Sequence, residues 1–153
     1  MNQRQINPIV SEFFFVFARM EYALKATGRF VKHRRNAEAD WTKLASNLGN
    51  RFDEKATPGL KEAVEYYRTH PPKKQVVQDD QLEWDDTLPD HTSDLDLLFA
   101  YVRRVRNNLF HGGKFRGRYL AEPERSEQLI RHGLTILNNC LTLAPDLLEA
   151  FEQ

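Results

Sequence analysis

Apolar residues recur at helical spacing through most of this chain, and one stretch is denser than the rest. Residues 93–113, SDLDLLFAYVRRVRNNLFHGG, predict a single helix. Ser93 stands as a cap, Asp94 and Asp96 lie in the first turn where the helix dipole favours negative charge, and Gly112-Gly113 offers a left-handed stop. On a projection of 100° per residue with His111 at zero, Leu95, Leu98, Val102, Val105 and Leu109 fall between about 120° and 200°. Phe99 and Phe110 flank that stripe on one side, Leu97 and Tyr101 on the other. A helix apolar over more than half its circumference belongs near the centre of a bundle. Its polar strip is narrow, with Arg104 and Asn107 within about 40° of His111. Arg106 falls at about 220°, beside the core stripe, where a half-buried guanidinium needs an acidic or phosphate partner.

The same periodicity predicts the other elements. Residues 7–28 read as a first helix with Ile9, Val10, Phe13, Val16, Phe17, Met20 and Leu24 facing inward. Phe15 and Tyr22 lie on its far side, so this helix is either sandwiched or turned toward a second subunit. Glu21 flanks the core stripe and is expected to meet Arg103 or Arg106 across the bundle, or else Lys25 one turn along its own helix. Residues 37–49 read as a second helix around Trp41, Leu44 and Leu48, closed by Gly49. Residues 58–69 read as a third, opened by Pro58 and stopped by Pro71-Pro72. Residues 70–92 carry no such period and are expected as a long acidic loop. The last helix spans 123–151, broken or restarted at Pro145, with a short terminal piece at 146–151. The expected fold is all-α, a bundle of four to five helices forming one domain over residues 1–153.

Composition narrows the functions. The net charge is zero, from 22 basic and 22 acidic residues, which argues against a globally basic nucleic-acid binder. The charges are nevertheless segregated. Gln75 to Val102 holds eight acids and no Lys or Arg, whereas Leu97 to Ala121 holds six bases (Arg103, Arg104, Arg106, Lys114, Arg116 and Arg118) and no acid. That second block is a local positive field able to steer a polyanion. Residues 29–36 form another basic cluster, read chiefly as a solvated extension. The one cysteine, Cys140, cannot found a disulfide framework and reads as a core residue. Neither a leader nor a membrane-spanning run is evident, so cytoplasm is the expected location and no membrane partner is expected. No Gly-rich phosphate loop, metal-ligand cluster or Ser-His-Asp spacing is present, and no cofactor is expected.

Arg106-Asn107-Asn108-Leu109-Phe110-His111 resembles the Arg-x4-His motif of HEPN domains, small helical bundles with many metal-independent ribonucleases among them. The polar residue directly after the Arg and the placement at a helix end match as well, and residues 17–25, FARMEYALK, resemble the first helix of many HEPN proteins. The resemblance implies an endoribonuclease, toxin- or defence-like, acting on RNA as a homodimer, with an antitoxin or regulator as a further partner. RNA cleaves without metal when a base takes the 2′-OH proton, the oxygen attacks its own phosphate, and an acid protonates the leaving 5′-oxygen, ending in a 2′,3′-cyclic phosphate. His111 suits the proton transfers and Arg106 the phosphate charge, with Asn107 orienting the imidazole or binding a phosphate oxygen. Arg103, Arg104, Lys114 and Arg116 would hold RNA, and Glu21 would support the arginines. Arg106 and His111 lie about 140° apart on a straight helix, so either the helix distorts at Gly112 or the site combines residues from two subunits, and the resemblance to HEPN ribonucleases implies the second. The alternatives are a HEPN-like RNA-binding or protein-interaction module without catalysis, and a structural dimeric bundle. Some toxins of this kind carry His-x-Tyr at the motif's end, whereas here Gly112-Gly113 follows His111 and Tyr119 comes later.

Overall fold

A computed structural model describes residues 8–32, 35–110 and 123–153, without the side chains of residues 110 and 123. Among these, helices dominate: α1 Pro8–Ala26, α2 Trp41–Leu48, α3 Pro58–Thr69, α4 Asp94–Phe110, α5 Pro123–Leu143 and α6 Pro145–Glu152. Two small antiparallel sheets accompany them. β1 Val31–Lys32 pairs with β2 Glu38–Ala39, and β3 Lys74–Gln78 pairs with β4 Gln81–Asp85.

Local chemistry sets the helix ends. The Asp40 side chain accepts from Lys43 N at 3.0 Å and opens α2. Thr57 does the same for Leu60 N at 3.0 Å, with Pro58 in the first turn of α3. Ser93 Oγ accepts from Asp96 N at 3.1 Å and opens α4, as its sequence position predicts. Gly28, at φ +70°, lets the chain leave α1 and seat Phe30 in the core.

The helices pack as one bundle around a shared core. α5 lies against α3 and α1, α6 against α1, and α2 against α4. An aromatic series joins three of them: Phe17 of α1 stacks on Trp41 of α2 at 5.4 Å, and Trp41 meets Phe99 of α4 at 5.2 Å. Each such ring, fully buried, contributes about 1.5–3 kcal/mol. Leu95, Leu98, Phe99, Val102, Val105 and Leu109 are all buried, so α4 is the enclosed element its periodicity predicts. Packing is tight at Gly133 of α5, where a Cβ would stand 2.7 Å from Tyr67 Oη and 3.2 Å from Phe13 Cε2. Tyr67 Oη donates to Leu129 O at 2.6 Å, which satisfies a hydroxyl buried in the core. Arg19 donates to Phe151 O and Arg29 pairs with Asp146, fastening α6 to α1.

Three expectations need amendment. First, the expected helix-rich class stands, with two small antiparallel sheets added to it. Second, residues 70–92 are not one irregular loop. They hold the β3–β4 hairpin, in register from Lys74↔Asp85 to Gln78↔Gln81. Its two-residue turn is Asp79-Asp80, at φ 51° and 61°. Such a turn usually announces itself with Asn-Gly or Asp-Gly, and here the signal is hidden because Asp takes the left-handed conformation in glycine's place. Third, α2 begins at Trp41 rather than 37, because Glu38–Ala39 pairs with β1. The expected Gly112-Gly113 stop lies outside the described residues.

Candidate functional site

The Arg-x4-His motif begins in the last turn of α4, and the polar side chains there divide into two groups. Arg106 leans toward α1, with its guanidinium 5.8 Å from the centroid of Phe17 and its Nη1 donating to Asn107 Oδ1 at 3.0 Å. The aromatic face favours the cation, and the hydrogen bond fixes the Asn107 amide. Arg103, Arg104 and Asn107 instead border a cleft of about 380 Å³. From α4, Ala100 and Asn108 line it as well, and its other lining comes from Lys74, Gln75, Pro89 and Asp90. Asn107 is thus shared, lining the cleft while holding Arg106.

This other lining is positioned by side chains reaching out of the bundle. Residues 71–73 cross below α4 without regular structure, and their three consecutive carbonyls are each taken up. Pro71 O accepts from Arg125 at 3.1 Å, Pro72 O from Arg104 at 3.5 Å, and Lys73 O from Asn108 at 2.8 Å. Arg104 also donates to Thr87 O at 2.8 Å. It therefore holds the chain entering β3 and the chain leaving β4, clamping the base of the hairpin. Asp85 steadies the outgoing side: it accepts from Thr87 N at 2.8 Å and from the Thr87 hydroxyl, and these bonds draw its pKa below the usual carboxylate value.

Arg103 is half-buried in the cleft, and its Nε makes one long hydrogen bond, 3.4 Å to Phe99 O. Burial pulls its pKa below the ordinary guanidinium value, against the attraction of Asp96 and then of Glu21 and Asp40. Glu21 therefore acts on Arg103 at longer range than the expected contact, since among the described residues no direct ion pair joins the two. Asp96 is buried, and its carboxylate accepts from Thr42 Oγ1 at 2.9 Å, Thr92 N at 2.9 Å and Thr92 Oγ1 at 3.2 Å. It binds α4 to α2 and is more than the surface acid its first-turn position suggests.

Of the residues expected at the site, Arg106, Asn107, Arg103 and Arg104 come together on α4, with Glu21 acting from α1. His111, Lys114 and Arg116 lie outside the described residues. Sequence reasoning missed Lys74, Gln75 and Asp90, because neither the hairpin that presents the first two nor the return of the chain beside it was foreseen. It also missed Asn108, although its position four residues after Arg104 on the same face was a usable signal. A separate cluster places Tyr66 against His70 at 4.4 Å and His132 at 5.0 Å. Burial lowers the His132 pKa, with Glu62 opposing. Among the described residues no group of His, Cys, Asp and Glu is placed to hold a metal ion, and no helix is long and apolar enough to cross a membrane. Comparison of the chain with protein-family models, with curated proteins and with solved structures found no match.

Proposed function

We propose that this chain is a metal-independent endoribonuclease of HEPN type, acting in the cytoplasm as a homodimer. Arg106 meets the phosphate, His111 moves the proton, and Asn107 holds the arginine and contacts the substrate. The observation that carries the reading is the Arg106–Asn107 bond at the end of an enclosed helix, with Arg106 over Phe17. A guanidinium so directed is fixed before substrate arrives, as electrostatic stabilisation of a phosphorane-like transition state requires. Arg103 and Arg104, together with Lys114 and Arg116, supply the surrounding positive charge. Phe15 and Tyr22, 61% and 63% exposed on α1, supply an apolar face for a second subunit.

A second reading is a non-catalytic RNA-binding or protein-interaction module. One observation favours it: Arg104 commits its guanidinium to the carbonyls of Pro72 and Thr87, so part of the basic face is architectural. Incubation of mixed single-stranded RNA in EDTA with the parent, Arg106→Ala and His111→Ala separates the two. The ribonuclease reading expects cleavage by the parent, ending in cyclic phosphate, and a loss of about 10²-fold or more in each variant. A folded parent that binds RNA without cutting it is the module.

A further inference from the structure

Alongside the motif, the cleft between α4 and the base of the β3–β4 hairpin combines features that a structural role leaves unexplained. Arg103 has five donor hydrogens and, among the described residues, engages one, at long range, with Phe99 O. Asp96, Glu21 and Asp40 influence it only through space, and Asp96 is already occupied by Thr42 and Thr92. A half-buried guanidinium held this way is costly unless an anion completes its shell. Beside it, Asn107 has its carbonyl oxygen taken by Arg106, which leaves its amide N–H groups as donors. Lys74 adds a cation from the facing strand.

The cleft is not uniformly basic. Gln75 and Asp90 stand on the hairpin side, the first a donor and acceptor, the second an acceptor only. A bare inorganic anion would meet repulsion from Asp90 and no use for Gln75. A ligand matching both parts has a doubly charged anionic end and, within one small-molecule length, an edge with amino and ring nitrogens. A cleft of about 380 Å³ falls in the ordinary range of sites for such molecules. It is also continuous with the motif, because Asn107 borders the cleft and touches Arg106.

We infer that this cleft holds one phosphorylated nucleotide unit, with its phosphate at Arg103, Asn107 and Lys74 and its base edge at Gln75 and Asp90. Resting on the ribonuclease reading, the unit is a nucleotide of the RNA next to the one cut, so the cleft sets which base may flank the scissile phosphate. The same chemistry fits a free nucleotide, and the experiment tells the sources apart.

The test is a nuclear magnetic resonance titration of the full, isotopically labelled chain with AMP, adenosine, inorganic phosphate and a 2′-deoxy tetranucleotide, which the proposed chemistry cannot cut. AMP is expected to saturate at millimolar concentration, moving the amides of residues 74, 75, 90, 103 and 107. Adenosine and phosphate should each bind about tenfold more weakly or worse, and Arg103→Gln should weaken AMP about tenfold or more. If Arg103→Gln does not fold, Lys74→Ala and Gln75→Ala, at the rim, carry the comparison. A tetranucleotide that binds more tightly than AMP assigns the unit to RNA; one that binds more weakly assigns it to a free nucleotide. Shifts elsewhere, no saturation, phosphate binding as tightly as AMP, or indifference to all three substitutions overturns the inference. Because no cleavage is measured, an inactive enzyme with an occupied cleft and an active enzyme with an unoccupied one are distinct results.

Discussion

At the scale of single residues, the polar side chains of α4 differ in role though they are close in sequence. Arg103 faces the cleft, Arg104 clamps two backbone strands, and Arg106 lies over Phe17. At about 100° per residue, Arg103 and Arg104 both reach the cleft, while Arg106, about 60° round from Arg103, leans toward α1. Their common chemistry was legible from the sequence, but what each one meets was not, since Pro72, Thr87 and Phe17 are remote in sequence. Gly133 makes the same point in the core. In an exposed helix interior, Gly→Ala would gain about 1 kcal/mol. Here the new methyl would lie 2.7 Å from Tyr67 Oη, whose hydroxyl is held by Leu129 O. Overpacking costs about 1–3 kcal/mol, and a displaced buried hydroxyl a similar amount. Gly133→Ala is therefore expected to destabilise by about 1–3 kcal/mol in urea unfolding, and Tyr67→Phe in the same chain should recover part of the loss. A Gly133→Ala chain more stable than the parent would show that this contact is not tight.

At the scale of elements, α3, α4 and α5 follow from local signals: a cap or a first-turn proline, and a 3.6-residue apolar stripe. The β3–β4 hairpin does not. Its acids suggested a solvated loop, and Val77 and Leu82, paired across the strands, are 70% and 69% exposed, so no apolar face marks it as buried structure. What holds it is the Arg104 clamp and the Asn108 bond to Lys73 O. The turn itself is a weak point, because Asp79 and Asp80 both take positive φ. Replacing Asp80 by glycine removes that steric cost and should stabilise the hairpin by about 0.5–1 kcal/mol. Slower amide exchange across residues 75–84 would register the gain. Faster exchange would mean that the Asp carboxylates contribute more to the turn than their backbone geometry costs.

At the scale of the whole molecule, the bundle turns an apolar helix into a platform with a basic end, and the proposed function asks that two such platforms meet. Mixing Arg106→Ala with His111→Ala protomers tests this. If each site takes its arginine from one subunit and its histidine from the other, random exchange restores about a quarter of the parental cleavage rate, since half the dimers are mixed and each holds one intact site. No restoration after verified exchange means that both groups act within one subunit. The sequence by itself determined the helical character, the apolar stripes of α1, α3, α4 and α5, the cap at Ser93, the opening of α3 at Pro58, and the clustering of bases around the motif. All of these depend on spacing within a few residues. Only the tertiary structure decided that Asp96 is buried between Thr42 and Thr92, that Arg104 clamps a hairpin, and that Arg103 opens into a cleft walled by Gln75 and Asp90. Those outcomes turn on which donors and acceptors remain unsatisfied when distant segments meet, and a buried polar group is paid for only by a partner that the local pattern does not contain.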